Sequence, residues 1–256
     1  MEYRILGASN LEVSHLCFGS LAISPLQSSL SIKESGEIIA YALKQGINFI
    51  DTAEYYQNYT HIKSGIKNSD MDLVISTKSY AYSYEGMKKS VEKARRELDR
   101  DVIDIFMLHE QETSMTLRGH KRALEYLVDA KARGYISSIG VSTHTVEVVK
   151  AATRIDEIEV IHPIINVAGL GIKDGTLKDM EKAIEDAFGK GKGIYGMKCL
   201  GGGNLIGRKN EAFRYIKSFP KIHSIAIGMK STDEVLANCL LFQGKPVPEG
   251  LEIRLE

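Results

Sequence analysis

Short runs of Val, Ile and Leu recur along the chain, and each is followed by a longer stretch whose apolar residues fall every three to four positions. The runs predict strands at Leu16–Gly19, Asn48–Thr52, Leu73–Thr77, Ile103–Leu108, Ile136–Val141, Glu159–Ile164, Gly193–Met197 and Ser224–Gly228. The intervening stretches predict helices at Ser31–Gln45, His61–Ile66, Tyr84–Leu98, His120–Arg133, Thr145–Arg154, Leu177–Gly189, Asn210–Lys217 and Thr232–Leu241. The third is the clearest: Met87, Val91, Ala94 and Leu98 share one face, with Lys and Glu between them. Eight strands alternating with eight helices imply parallel pairing through right-handed crossovers, and eight such units favour a closed barrel over an open sheet.

Ahead of the first barrel strand, Tyr3–Leu6 and Leu11–Ser14 flank a polar turn at Gly7–Asn10, which reads as a β-hairpin capping the barrel floor. Residues 1–256 are therefore expected to form one α/β domain, a (β/α)₈ TIM barrel with an N-terminal β-hairpin and a short C-terminal tail. The 256 residues match the roughly 250 that such a barrel needs.

Composition narrows the function. Thirty-three basic residues balance thirty-three acidic ones, so nothing electrostatic favours nucleic acid. No apolar run approaches the roughly 18 residues of a spanning helix. Cys17, Cys199 and Cys239 are few and far apart, which argues against a disulfide framework and for a reducing cytoplasm. Trp is absent, so an aromatic pocket has to be built from Tyr and Phe.

Chemistry is expected where barrel strands end. Those positions hold Asp51, Lys78, His109, Ser142–His144, His162, Lys198 and Lys230–Ser231, with Tyr55 and Tyr56 just after Asp51. Asp51 and Lys78 lie on neighbouring strands and could pair. An ammonium beside Tyr56 would lower its proton affinity and make it an acid near neutral pH. Plainer roles stay open for the same residues: Asp51 as a turn cap, Lys78 as a solvated strand end, His109 as a structural histidine, and Tyr55 in place of Tyr56. Lys78 or Lys198 as a Schiff-base former, and a metal held by His109, His144 and His162, are further options, although no carboxylate-rich ligand set accompanies the histidines.

The phrases I-N-F-I-D-T-A-E-Y-Y (47–56), L-V-I-S-T-K (73–78), D-I-F-M-L-H (104–109) and I-G-V-S-T-H (139–144) resemble the aldo-keto reductase superfamily. Y-R-I-L-G-A-S-N-L-E-V-S (3–14) resembles its N-terminal hairpin, and the resemblance extends in order over almost the whole chain. It implies a tetrad: Tyr56 as general acid, Lys78 tuning it, Asp51 holding Lys78, and His109 orienting a carbonyl, with hydride from a nicotinamide and no metal.

The resemblance also implies cofactor contacts. Gly19 and Ser20 would flank the ribose, and Ser142, Thr143 and His162 the carboxamide. Met197 and Lys198 would lie at the nicotinamide, and Leu200, Gly201 and Gly203 at the pyrophosphate. Lys230 and Ser231 would meet a 2′-phosphate, and Asn238 the adenine. Glu234 stands where many members carry Arg. NADP(H) is favoured on Lys230, and NAD(H) stays open because of Glu234. The phrase M-K-C-L-G-G-G (197–203) is similar to a clade in which some members add an iron–sulfur tail; no such cysteines precede Glu256, so no cluster is expected. Tyr55, Tyr80 and Tyr82 are the expected substrate contacts. With only residues 242–256 after the last helix, the pocket is expected to be open and permissive, walled by Tyr55, the loop 80–84 and the tail. The partner implied is a small carbonyl compound. The same superfamily includes regulatory subunits that bind the nucleotide, the main alternative to a reductase.

Overall fold

A computed structural model describes residues 1–248, 250 and 251. Two short strands, β1 (Tyr3–Ile5) and β2 (Glu12–Ser14), pair antiparallel, with Tyr3 opposite Ser14. The remaining strands are β3 (Leu16–Gly19), β4 (Phe49–Asp51), β5 (Val74–Ser79), β6 (Ile103–Gln111), β7 (Ile136–Thr143), β8 (Val160–Pro163), β9 (Gly193–Met197) and β10 (Ser224–Gly228). They form a closed parallel barrel in sequence order, with β10 returning to β3. This is the expected (β/α)₈ barrel.

The helices are α1 (Ile32–Lys44), α2 (Tyr59–Ile66), α3 (Tyr84–Leu98), α4 (Ser114–Gly119), α5 (Lys121–Ala132), α6 (Val146–Ala152), α7 (Leu177–Gly189), α8 (Lys209–Ser218) and α9 (Thr232–Phe242). None of the described helices is long and apolar enough to cross a membrane. In α3 the predicted stripe Met87, Val91, Ala94 and Leu98 is buried. Each large member contributes about 1.5–3 kcal/mol by leaving water. Ser83 caps its start by accepting from the amide of Gly86, and Asp99 ends it in the left-handed conformation. A full capping box, Ser31 with Glu34, starts α1.

Two elements depart from the pattern reading. The helix α4 has a single buried residue, Leu117, and so no apolar stripe to announce it; its start is set by a capping box of Thr113 with Thr116. Strand β6 runs on beyond Leu108 through a bulge to Gln111, where charged and polar residues hide the strand from a hydrophobicity reading.

Side chains alternate between the two faces of each strand, which makes two cores. One lies between strands and helices and is built from Leu, Ile and Val. The other fills the barrel interior with Leu6, Cys17, Phe49, Val74, Ile105, Met107, Val160 and Tyr195. The hairpin turn closes the floor: the Ala8 amide donates to the Gly191 carbonyl at 2.8 Å. There a Cβ on Gly7 would come within 2.3 Å of the backbone nitrogen of Gly193, so only glycine permits that contact.

Candidate active site

The same alternation that packs the interior aims Asp51, Lys78, His109 and His162 up the barrel axis, two residues beyond Phe49, Ser76, Met107 and Val160. Register staggers them around the mouth: Asp51 pairs with Ser76, Lys78 with Met107 and Ser142 with His162.

Lys78 Nζ lies 2.7 Å from Asp51 Oδ1 and also donates to the Thr52 carbonyl at 2.7 Å. Both side chains are buried. Burial opposes each charge, yet the partner outweighs it: Lys78 is held above the ordinary lysine range and Asp51 below the usual carboxylate range. Tyr56 is half-buried beside them, with the Lys78 ammonium 5.3 Å from its ring centre. Its phenol is pushed up rather than down. This corrects the expectation from sequence. Burial is the larger effect; the ammonium still favours phenolate, but the Asp51 charge offsets part of its pull.

His109 packs edge-on to Tyr56, ring centres 6.0 Å apart, and stacks on Tyr80 at 4.2 Å. Burial, reinforced by Lys78, lowers its pKa to about 3, so it is a neutral imidazole. His162 is likewise lowered to about 4, by burial first. Its Nδ1 lies 2.7 Å from the Tyr195 carbonyl oxygen. A carbonyl can only accept, so Nδ1 carries the proton and Nε2 presents a lone pair.

The β6 bulge turns Glu110 into the mouth with φ of 48°, a conformation that costs a non-glycine residue energy and is often found at sites. Its carboxylate accepts from Tyr80 Oη at 2.6 Å and pairs with His144 Nδ1 at 2.9 Å. The His144 contact first, then Tyr80, holds Glu110 down at about 2.

Two adjoining cavities open here. One of about 230 Å³ is lined by Tyr55, Tyr56, Tyr80, His109, Glu110 and His144 among others. The other, of about 590 Å³, runs past Gly19, Lys198, Leu200, Gly202, Gly203 and Lys230. Tyr56, His162, Met197 and Lys198 line both. Ser142 lines the smaller one, and its Oγ accepts from the Glu110 amide at 2.8 Å.

Other expected positions lie off the cavities. Tyr82 is not among the lining residues; it sits edge-on to His120, and Tyr84 turns away to donate to Asp129 at 2.6 Å. Of these three tyrosines only Tyr80 lines the mouth; Ser83 then caps α3 and Tyr84 begins it, which carries the chain away. Thr143 donates to the Gln111 carbonyl, and Ser20 accepts from Asn58, itself bonded to Thr52. Gly201 turns with φ of 61° between the lining residues Leu200 and Gly202 and does not itself line the cavity. Ser231 caps α9. Glu234 is buried, and its carboxylate accepts from the Lys230 amide at 2.8 Å. Asn238 is fully buried, and neither end of its amide has a partner among the described residues. Of the expected tail wall, residues 249 and 252–256 lie outside the described residues.

The sequence reading passed over Gln27 and Ser28, which reach the larger cavity from the loop after β3, and Tyr195, whose hydroxyl donates to Asp51 at 2.8 Å. Tyr195 lies in the middle of a strand, where apolar patterning makes it look like filler.

The model of the aldo/keto reductase family matches residues 15–238. The chain belongs to this family. A probable voltage-gated potassium channel subunit beta of Arabidopsis thaliana is 29% identical over 187 residues, 64% of this chain and 54% of that protein. An aldo-keto reductase of Mycolicibacterium paratuberculosis is 29% identical over 154 residues, 55% of this chain and 52% of the relative. The chain thus spans about half the length of these relatives. The fold is shared with a Pseudomonas aeruginosa structure described as an aldo-keto reductase, at a TM-score of 0.79 and 21% identity with 94% of each chain covered.

Proposed function

We propose that this chain is an oxidoreductase that reduces aldehyde or ketone carbonyls to alcohols. One observation carries the reading: Tyr56, the Lys78–Asp51 pair and His109 converge at one barrel mouth, on a cavity continuous with a long groove.

Tyr56 is the proton donor to the carbonyl oxygen. Burial keeps the phenol protonated at neutral pH, so the proton is there to give, and the Lys78 ammonium pulls against that rise and eases its departure. Lys78 supplies positive charge beside the phenolate left behind. Asp51 keeps that ammonium in place. His109 is uncharged and its Nδ1 is shut away from water, so Nε2 would meet the carbonyl oxygen and orient it.

The larger cavity fits a nicotinamide dinucleotide. Gly202 and Gly203 turn through positive φ beside it, and a Cβ on Gly202 would meet no protein atom within 4 Å. When bound, that cofactor would supply the hydride. His162 Nε2 and the Ser142 hydroxyl would hold its carboxamide, Met197 its ring, Leu200 to Gly203 its pyrophosphate, and Lys230 with Ser231 a 2′-phosphate. Glu234 is spent on the Lys230 amide, which supports NADPH over NADH.

Tyr56→Phe tests the reading. Turnover of an aldehyde panel should fall at least about 100-fold, with cofactor affinity within about twofold. A variant that still turns over rejects it. The likeness to the channel beta subunit favours a second reading, a nucleotide-binding regulatory protein. That reading predicts tight cofactor binding with negligible turnover in the unmodified chain.

A further inference from the structure

We infer that Tyr195 is a positioning residue: its hydroxyl sets the Asp51 carboxylate and, through it, how much of the Lys78 charge reaches Tyr56. The inference rests on the reading of Tyr56 as proton donor.

Tyr195 is fully buried in the barrel interior, one layer beneath the mouth. Its Oη is 2.8 Å from Asp51 Oδ1 and 2.8 Å from Ser76 Oγ. An ionised carboxylate has no proton to give, so the single Tyr195 proton goes to Asp51 and Ser76 must donate to Tyr195. A directed chain results: Ser76 to Tyr195 to Asp51. Oδ1, the same oxygen that accepts from Lys78, is its end point.

The ring is fixed as firmly as the hydroxyl. It stacks on His162, with centroids 3.9 Å apart, and meets Phe49 edge-on at 4.8 Å. Rotation of the phenol away from Asp51 would break both contacts.

A donor on Oδ1 draws negative charge toward itself, which leaves the ammonium less neutralised. Without it, Asp51 screens Lys78 more fully and Tyr56 keeps its proton to higher pH, becoming a weaker acid. The other groups acting on Asp51 are Lys78 and the neutral His162, with the Cys17 thiol close by; those acting on Tyr56 are Lys78, Asp51 and Glu110, with neutral His109 against its ring. Deleting the Tyr195 hydroxyl changes how Asp51 acts and leaves the other groups in place.

The test uses the full chain with NADPH and p-nitrobenzaldehyde. Tyr195→Phe should lower kcat about tenfold with KM within about twofold. The alkaline limb of kcat should move upward by about half a pH unit or more. Ser76→Ala should shift it the same way by less. NMR titration of tyrosines labelled at Cζ, without cofactor, should show the same rise for Tyr56. An unmoved Tyr56 titration in Tyr195→Phe overturns the inference, whatever happens to kcat; if that variant does not fold, an unmoved titration in Ser76→Ala does so. Tyr56→Phe run in parallel separates the two claims. Turnover there rejects the proton-donor reading itself, whereas a dead Tyr56→Phe with an unmoved titration in Tyr195→Phe rejects only the role of Tyr195.

Discussion

Lys78 and Asp51 pair at 2.7 Å with water reaching only 2% and 7% of their side chains. Such a pair is costly to assemble and more costly to break, because each member left alone is a buried charge. Asp51→Asn should therefore destabilise the fold by about 3–5 kcal/mol. The double variant Asp51→Asn with Lys78→Met should recover most of that stability while remaining inactive. Urea unfolding of the three proteins checks this; a double variant no more stable than Asp51→Asn would contradict it.

Three buried histidines should make the fold acid-sensitive. Burial is the leading cause in each case and lowers His15 to about 4, His109 to about 3 and His162 to about 4, all below the ordinary 6.5. The unfolded chain then takes up protons that the folded chain refuses. Stability is full above pH 6.5 and falls as pH drops from there toward about 4, by on the order of 1 kcal/mol per pH unit for each group. Denaturation midpoints at successive pH values should show the decline, and His15→Phe, remote from the mouth, should make it shallower.

Lys230 lines the larger cavity and Glu234 is turned to its backbone. Lys230→Met should weaken NADPH binding about tenfold and NADH binding by less than about twofold, since only a 2′-phosphate carries charge there. Equal losses for both cofactors in a fluorescence titration would place Lys230 elsewhere in recognition.

Tyr80 stacks on His109 and is anchored by Glu110. Tyr80→Ala should raise KM for aromatic aldehydes about fivefold or more, with a smaller effect on short aliphatic ones, because a flat ring loses its stacking surface. Parallel losses for both substrate classes would show that Tyr80 only orders the mouth.

Much of this was legible in the chain itself. Short apolar runs marked the eight barrel strands, and apolar residues every three to four positions marked their helices. The strand-end residues Asp51, Lys78 and His109 followed from that frame, since a barrel's reactive groups sit where its strands end. Elements without an apolar stripe were invisible: α4 and the last residues of β6 rest on caps and a bulge. Side-chain direction in the tyrosine loop was invisible too, so Tyr82 was expected at a mouth that only Tyr80 reaches.

The sequence by itself determined the barrel, because alternation of apolar runs is local and repeats along the chain. It also determined which residue types stand at the strand ends. Only the tertiary structure decided their chemistry. Whether Tyr56 holds or yields its proton depends on the balance of burial against a lysine already claimed by Asp51. That Tyr195 supports Asp51 from 144 positions away depends on closure of the barrel across its axis. Charge and desolvation act through space, and local sequence patterning carries no record of distance.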